Sequence, residues 1–185
     1  LQLTLRFPTL RYINEFLGLK CATDLIELNF FPNAKEITES MAIYRAAKDI
    51  GYRLDDPTVE CIVVGDGNKP RTGALVAFRS KWNVTSIDPR LLYSGPLEEV
   101  KRLYCYPDKM EDRSLTLANK CIILFPHAHC NVEASFRNII SPERNLVIMP
   151  CCTGEVIPTN LKPSKEYDDW GVHSPDRHIL IYRNV

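Results

Sequence analysis

The apolar positions of this chain fall into short unbroken runs, separated by segments of helical spacing. Residues 59–64 read VECIVV, residues 120–125 KCIILF and residues 145–149 NLVIM. Runs of this length, rich in branched aliphatic side chains, predict strands buried on both faces, as in a parallel sheet. Ile37, Met41, Tyr44 and Ala47 recur at three- and four-residue intervals within residues 36–50, and Gly51 follows as a stop, so this stretch is the clearest helix. Residues 71–81 (RTGALVAFRSK) predict a second helix and residues 82–87 (WNVTSI) a strand ending at Asp88-Pro89. A short helix over 96–101, a strand over 102–106 and a helix over 131–140 complete the alternation. Strands alternating with helices predict a mostly parallel sheet covered on both faces.

The two ends of the chain depart from that rhythm. Residues 167–172, a Ser174-Pro175-Asp176 turn and HILIY at 178–182 predict a closing antiparallel hairpin. Residues 1–35 carry apolar clusters around 7–16 and 25–31 and break at Pro32-Asn33. The expected fold class is therefore α/β: a three-layer α/β/α sandwich with a C-terminal antiparallel hairpin. Residues 36–185 would form the domain, with 1–35 an N-terminal extension packed on it.

Length and charge narrow the class of function. A chain of 185 residues is one domain's worth and can bury a sizeable core without disulfide or metal staples. Lys plus Arg equals Asp plus Glu at 23 each, so no basic excess marks a protein that grips duplex nucleic acid through its backbone. Seven cysteines with no C-x-x-C pair, three of them in or beside apolar runs, fit free thiols in a reducing intracellular compartment. No apolar stretch approaches the ~20 residues needed to span a bilayer, so no membrane partner is expected. The sequence starts Leu1-Gln2-Leu3-Thr4 with no signal-peptide pattern, as an excised domain or trimmed terminus would.

The most informative stretch is residues 63–90, VVGDGNKPRTGALVAFRSKWNVTSIDPR. A strand runs into Gly65-Asp66-Gly67, and Pro70 stands at the expected first turn of the next helix. Glycine lets a backbone approach a ligand closely, and proline is pre-set for helix entry. Asp88, twenty-one positions after Gly67, stands at the end of the second strand. There it could accept hydrogen bonds from both hydroxyls of a ribose. The spacing suits one βαβ unit with a nucleoside at the carboxyl ends of the strands. A dinucleotide fingerprint wants a third glycine where Pro70 stands, which argues against NAD. The bland alternative is that the glycines only make a turn and Asp88 only caps the next segment.

With these residues in place, the chain from about residue 36 to 185 resembles the class I SAM-dependent methyltransferases, which also end their sheet in an antiparallel hairpin. Gly65, Asp66 and Gly67 match that family's first glycine-rich motif, and Asp88 matches its ribose-binding acid. The loop GDGNKPRTG departs from the commoner run of three alternate glycines. The resemblance implies S-adenosyl-L-methionine (SAM) as cofactor, held by Gly65, Asp66, Gly67, Asn68, Pro70, Arg71, Thr72, Asp88 and Phe125. It implies methyl transfer, or a methyltransferase-like scaffold that has lost catalysis.

FPHAHC after the 120–125 strand and MPCC after the 145–149 strand are similar to loops in methyltransferase-like domains that modify RNA, which leans the acceptor towards RNA. His127 and His129 are the candidate proton acceptors, since imidazole titrates near neutrality. Zinc ligation with Cys130, Cys151 and Cys152, or mere lining of a polar rim, are the competing readings. The spacing is not a common structural-zinc layout, and a metal-free cluster is expected. Tyr104 and Asp108 are weaker candidates to flank an adenine. Lys69, Arg71, Arg79, Lys81 and Arg90 cluster in sequence beside the loop, and Trp170 and His173 read as hairpin packing.

Overall fold

The computed structural model describes residues 9–151, 157–158 and 160–185. Helices α1 (Arg11–Leu17) and α2 (Ala22–Glu27) precede α3 (Ala34–Asp49), which begins where the Asn33 side chain accepts from the Glu36 N–H. This N-cap supplies an acceptor for one of the orphan N–H donors of the helix start, and it sets the boundary two residues before the one expected. Strand β1 (Glu60–Val64), helix α4 (Arg71–Arg79) and strand β2 (Asn83–Ile87) form the first βαβ unit. Strands β3 (Gly95–Pro96), β4 (Leu103–Tyr106) and β5 (Leu115–Thr116) follow, with a single 3-10 turn, Met110–Asp112, before β5. The chain then runs through β6 (Cys121–Pro126), α5 (Val132–Arg137), β7 (Ile139–Ile140), β8 (Arg144–Met149), β9 (Lys165–Asp168) and β10 (His178–Tyr182).

Among the described residues, eight strands make one sheet in the order β3-β4-β2-β1-β6-β8-β10-β9. The pairs β4-β2, β2-β1, β1-β6 and β6-β8 are parallel, whereas β10 and β9 close the sheet antiparallel. The strand order reverses at β1, whose neighbours are β2 on one side and β6 on the other. In open α/β sheets such a switch point leaves a crevice at the carboxyl ends of the strands. Side chains alternate as the pleat requires. Cys61, Val63, Ile122, Leu124, Val147 and Met149 pack under α1–α4, and Ile62, Val64, Ile123, Phe125, Leu146 and Ile148 pack on the other face with Val132 and Phe136 of α5. Tyr12, Phe16, Leu25 and Phe30 from the first 35 residues are buried in the same core as α3.

Three local expectations need correction. Residues 96–101 form no helix: Pro96 pairs with Tyr104 in an antiparallel ladder, and the chain turns back through Arg102 at φ +64°. Helix α5 ends at Arg137, because Ile139 and Ile140 leave it to pair in parallel with Leu115 and Thr116 in a separate two-stranded sheet. The hairpin's first strand lies at 165–168, and Asp169 turns out of it to accept from Tyr12 Oη at 2.5 Å.

Candidate functional site

The carboxyl ends of β1, β2, β6 and β8 bring Gly65, Asp88, His127 and Cys151 to one rim. Gly65 takes φ +78°, and a Cβ there would stand 2.4 Å from the Ala128 Cβ, so the β1 and β6 loops touch through the bare glycine. Gly67 takes φ +83° and donates its N–H to Asp88 Oδ2 at 2.9 Å. The other oxygen, Asp88 Oδ1, accepts from the Arg90 N–H at 2.8 Å. Asp88 thus ties the β1 loop to the β2 loop while part of its lone-pair capacity stays unused, since an ionised carboxylate offers about four acceptor sites.

Two cavities meet along this rim. The smaller, about 180 Å³, lies between Val64, Gly65, Ile87 and Asp88 on one side and Asp108, Met110, His129 and Cys130 on the other. The larger, about 430 Å³, is lined by polar side chains, with Lys35, Glu36 and Glu39 from α3 facing Asn68, Arg71, His127 and His129. Gly65, Arg90 and His129 border both. A long ligand crossing Gly65 would therefore have one end in each.

Not every residue expected in the site faces it. Asp66 is 2% exposed and turned inward: Oδ1 accepts from the Thr72 N–H, and Oδ2 accepts from the Gly73 N–H and Ser86 Oγ, all within 2.8–2.9 Å. It caps α4 from five positions before the helix, where Pro70 occupies the N-cap and has no side-chain acceptor to offer. Burial raises the Asp66 carboxyl above the usual range, and the hydrogen bonds and Arg71 pull against it. Pro70 itself is buried one position before the helix, not in it. Thr72 is buried, its hydroxyl sharing a hydrogen bond with Ser40 Oγ at 3.0 Å. Phe125 is fully buried in the second core and lines neither cavity. Asn68 and Arg71 do line the larger one, with Arg71 ion-paired to Glu36 at 3.0 Å.

The histidines behave differently from each other. His127 sits at φ +53°, which tips its ring into the larger cavity. Burial and the Lys35 ammonium lower its pKa to about 4 against the opposing pull of Asp176 and Glu36, so its 3.5 Å contact with Glu39 Oε1 is not a salt bridge at neutral pH. His129 is exposed, and its Nε2 lies 3.0 Å from Cys151 Sγ. Cys152 lies outside the described residues. Among the described residues no group of three or more metal-ligating side chains converges. Of the weaker candidates, Asp108 lines the smaller cavity and pairs with Arg113, whereas Tyr104 is exposed on β4. The basic residues disperse: Lys69 donates to the Asn29 carbonyl, Arg90 pairs with Asp88, and Arg79 lies on another face beside Tyr44. Arg177 stacks over the Trp170 ring, and His173 is tied to Thr9 and Thr38.

Glu39 is the residue that the sequence reading missed. A signal was available: Glu36, Glu39, Ser40, Ile43 and Ala47 share one face of α3 at three- and four-residue spacing. The polar end of that face reaches the rim and the apolar end reaches the core.

No family model matches the sequence, and no curated protein matches it. Solved structures do. MtNAS in complex with MTA and tNA superimposes with a TM-score of 0.56, covering 95% of this chain and 69% of that one at 11% identity. A variant of MtNAS in complex with S-adenosylmethionine gives a TM-score of 0.51 over 95% and 72% at 11% identity. A SAM-dependent methyltransferase from Aquifex aeolicus gives 0.51 over 88% of this chain and 98% of that one, again at 11% identity. At these identities the likeness establishes the fold, which is that of class I methyltransferases. No helix among the described residues is long and apolar enough to cross a membrane.

Proposed function

We propose that this domain binds SAM across the rim of β1, β2 and β6 and transfers its methyl group to an acceptor entering beside His127 and His129. The single observation that carries this reading is the pair of cavities joined at Gly65, with Asp88 lining the smaller one. The larger falls within the ~300–1,000 Å³ typical of ligand sites. Adenine would occupy the smaller cavity, beside Asp108 and Met110. The ribose hydroxyls would meet the spare acceptor capacity of Asp88, and the methionine tail would pass over Gly65 and Gly67 into the larger cavity. The fit rests on a cradle that only glycine allows, since a Cβ on Gly65 would collide with Ala128.

When bound, SAM supplies an electrophilic methyl carbon on a sulfonium. The chain's own work is to hold that carbon in line with the acceptor, which can supply most of the rate. His129, exposed and bordering both cavities, is placed to take a proton from the acceptor as the new bond forms. His127, neutral and largely enclosed, would orient the acceptor rather than titrate. RNA is the acceptor class suggested by the His- and Cys-bearing loops after β6 and β8.

Titration calorimetry with SAM, S-adenosylhomocysteine and NAD tests the binding half: the first two should bind and NAD should not. Incubation with methyl-labelled SAM and separate RNA, protein and small-molecule pools tests the transfer half. Binding without transfer to any pool would favour the second reading, a methyltransferase-like scaffold.

A further inference from the structure

A third cavity, of about 560 Å³, shares no lining residue with the two at the rim. Its walls are aromatic. Phe30 is buried, with its ring centroid 5.6 Å from that of Tyr93 at a tilt of 58°, and Phe78 of α4 is half-buried like Tyr93. Three carboxylates border the same space. Asp24 and Glu27 stand three positions apart on one face of α2, and Glu99 comes from the turn between β3 and β4. All three are exposed, and among the described residues none has an ion pair or a side-chain hydrogen bond. No lysine or arginine lines this cavity, whereas basic side chains border both rim cavities.

The rings and the charges converge on one kind of occupant. Low-dielectric walls beside charges of a single sign concentrate the field in the cleft between them. The faces of aromatic rings carry negative charge density as well, and attract cations. An apolar body gains by covering the rings, and an anion is turned away by the carboxylates. The volume lies in the range of small-ligand sites.

We propose that this cavity binds a small organic cation, an ammonium group carried on an aryl or alkyl body. The body packs against Phe30, Phe78 and Tyr93. The ammonium lies towards Asp24, Glu27 and Glu99, with N–H donors enough for more than one of them. The inference does not rest on the function proposed for the rim, since no residue of one site lines the other.

The experiment titrates the parent protein with 2-phenylethylammonium by calorimetry. 2-Phenylethanol, neutral and of nearly the same shape, and 3-phenylpropanoate, an anion, are run beside it. Ring ¹³C signals of Phe78 and Tyr93 locate the ligand. A variant replaces the three acids together, Asp24→Asn, Glu27→Gln and Glu99→Gln. Each is a surface residue, so thermal unfolding followed by circular dichroism should match the parent. The amine should bind at least tenfold more tightly than the alcohol and move both ring signals, and the anion should not bind. In the triple variant the amine should lose at least tenfold in affinity, falling to the level of the alcohol. The proposal is overturned if the amine leaves the ring signals unmoved, if amine and alcohol bind equally, or if the triple variant binds the amine as the parent does. It is also overturned if trilysine moves the ring signals and the amine does not, because the occupant would then be a basic segment of a protein. Should the variant unfold, the comparison of amine with alcohol in the parent decides alone.

Discussion

Replacing Gly65 by alanine tests the contact on which the site is built. The added Cβ would stand 2.4 Å from the Ala128 Cβ and 2.7 Å from its Cα, where carbon atoms normally rest ~3.5–4.0 Å apart. Ala128 is fully buried between His127 and His129, so it cannot retreat without moving both histidines. Two costs add. Holding a residue with a side chain at φ +78° costs roughly 1–2 kcal/mol, and forcing a methyl into packed surroundings costs roughly 1–3 kcal/mol. Gly65→Ala should therefore destabilise by about 2–5 kcal/mol, read as a lower midpoint in urea unfolding followed by circular dichroism. Adding Ala128→Gly removes the closer of the two collisions and leaves the other. The double variant should be more stable than the sum of the single changes by about 1 kcal/mol or more, above the ~0.3–0.5 kcal/mol scatter of independent sites. A Gly65→Ala variant within ~1 kcal/mol of the parent, or a cycle with no coupling, would show that the β1 and β6 loops do not touch as described.

Asp66→Asn should destabilise by about 2–4 kcal/mol, because all three donors lose a charged acceptor and at least one is left facing an amide N–H; a loss below ~1 kcal/mol in the same assay would refute the capping role. Asp88→Asn should weaken SAM binding by about 1.5–3 kcal/mol, some ten- to hundredfold by calorimetry, and unchanged affinity would remove the ribose from this acid. His127 has its pKa lowered from 6.5 to about 4, so the unfolded chain takes up the proton first as the pH falls. Stability is lost on going down through that window, by about 2 kcal/mol at pH 5 relative to neutral pH. Glu39, raised by burial, acts with the opposite sign. Urea midpoints at pH 7 and pH 5 should fall less in His127→Gln than in the parent, and equal falls would contradict the buried neutral imidazole.

The strands were legible because burial on both faces leaves a plain mark: VECIVV, KCIILF and NLVIM admit no polar alternation. The rim followed from them, since Gly65, Asp88 and His127 each stand where such a run stops. Asp66 could not be assigned by proximity to the glycines. Whether its carboxylate faces a ligand or the N–H groups of its own helix depends on the turn, and Pro70 at the N-cap leaves that helix start needing an acceptor. The 96–101 segment misled for a related reason. Its composition permits a helix, but Gly95 and Pro96 are held on the sheet edge by pairing with β4, a contact no local pattern records. Glu39 stayed hidden because a glutamate in an amphipathic helix usually faces water. Only the packing of α3 against β6 and α4 turns it into the rim.

The most direct test of the whole account is a crystal structure with S-adenosylhomocysteine bound. The account predicts the adenine between Asp108 and His129, a ribose hydroxyl within hydrogen-bond reach of Asp88, and the homocysteine tail over Gly65 among Lys35, Glu39 and Arg71. Ligand density elsewhere on the molecule, or a ribose turned away from Asp88 with the larger cavity empty, would contradict it.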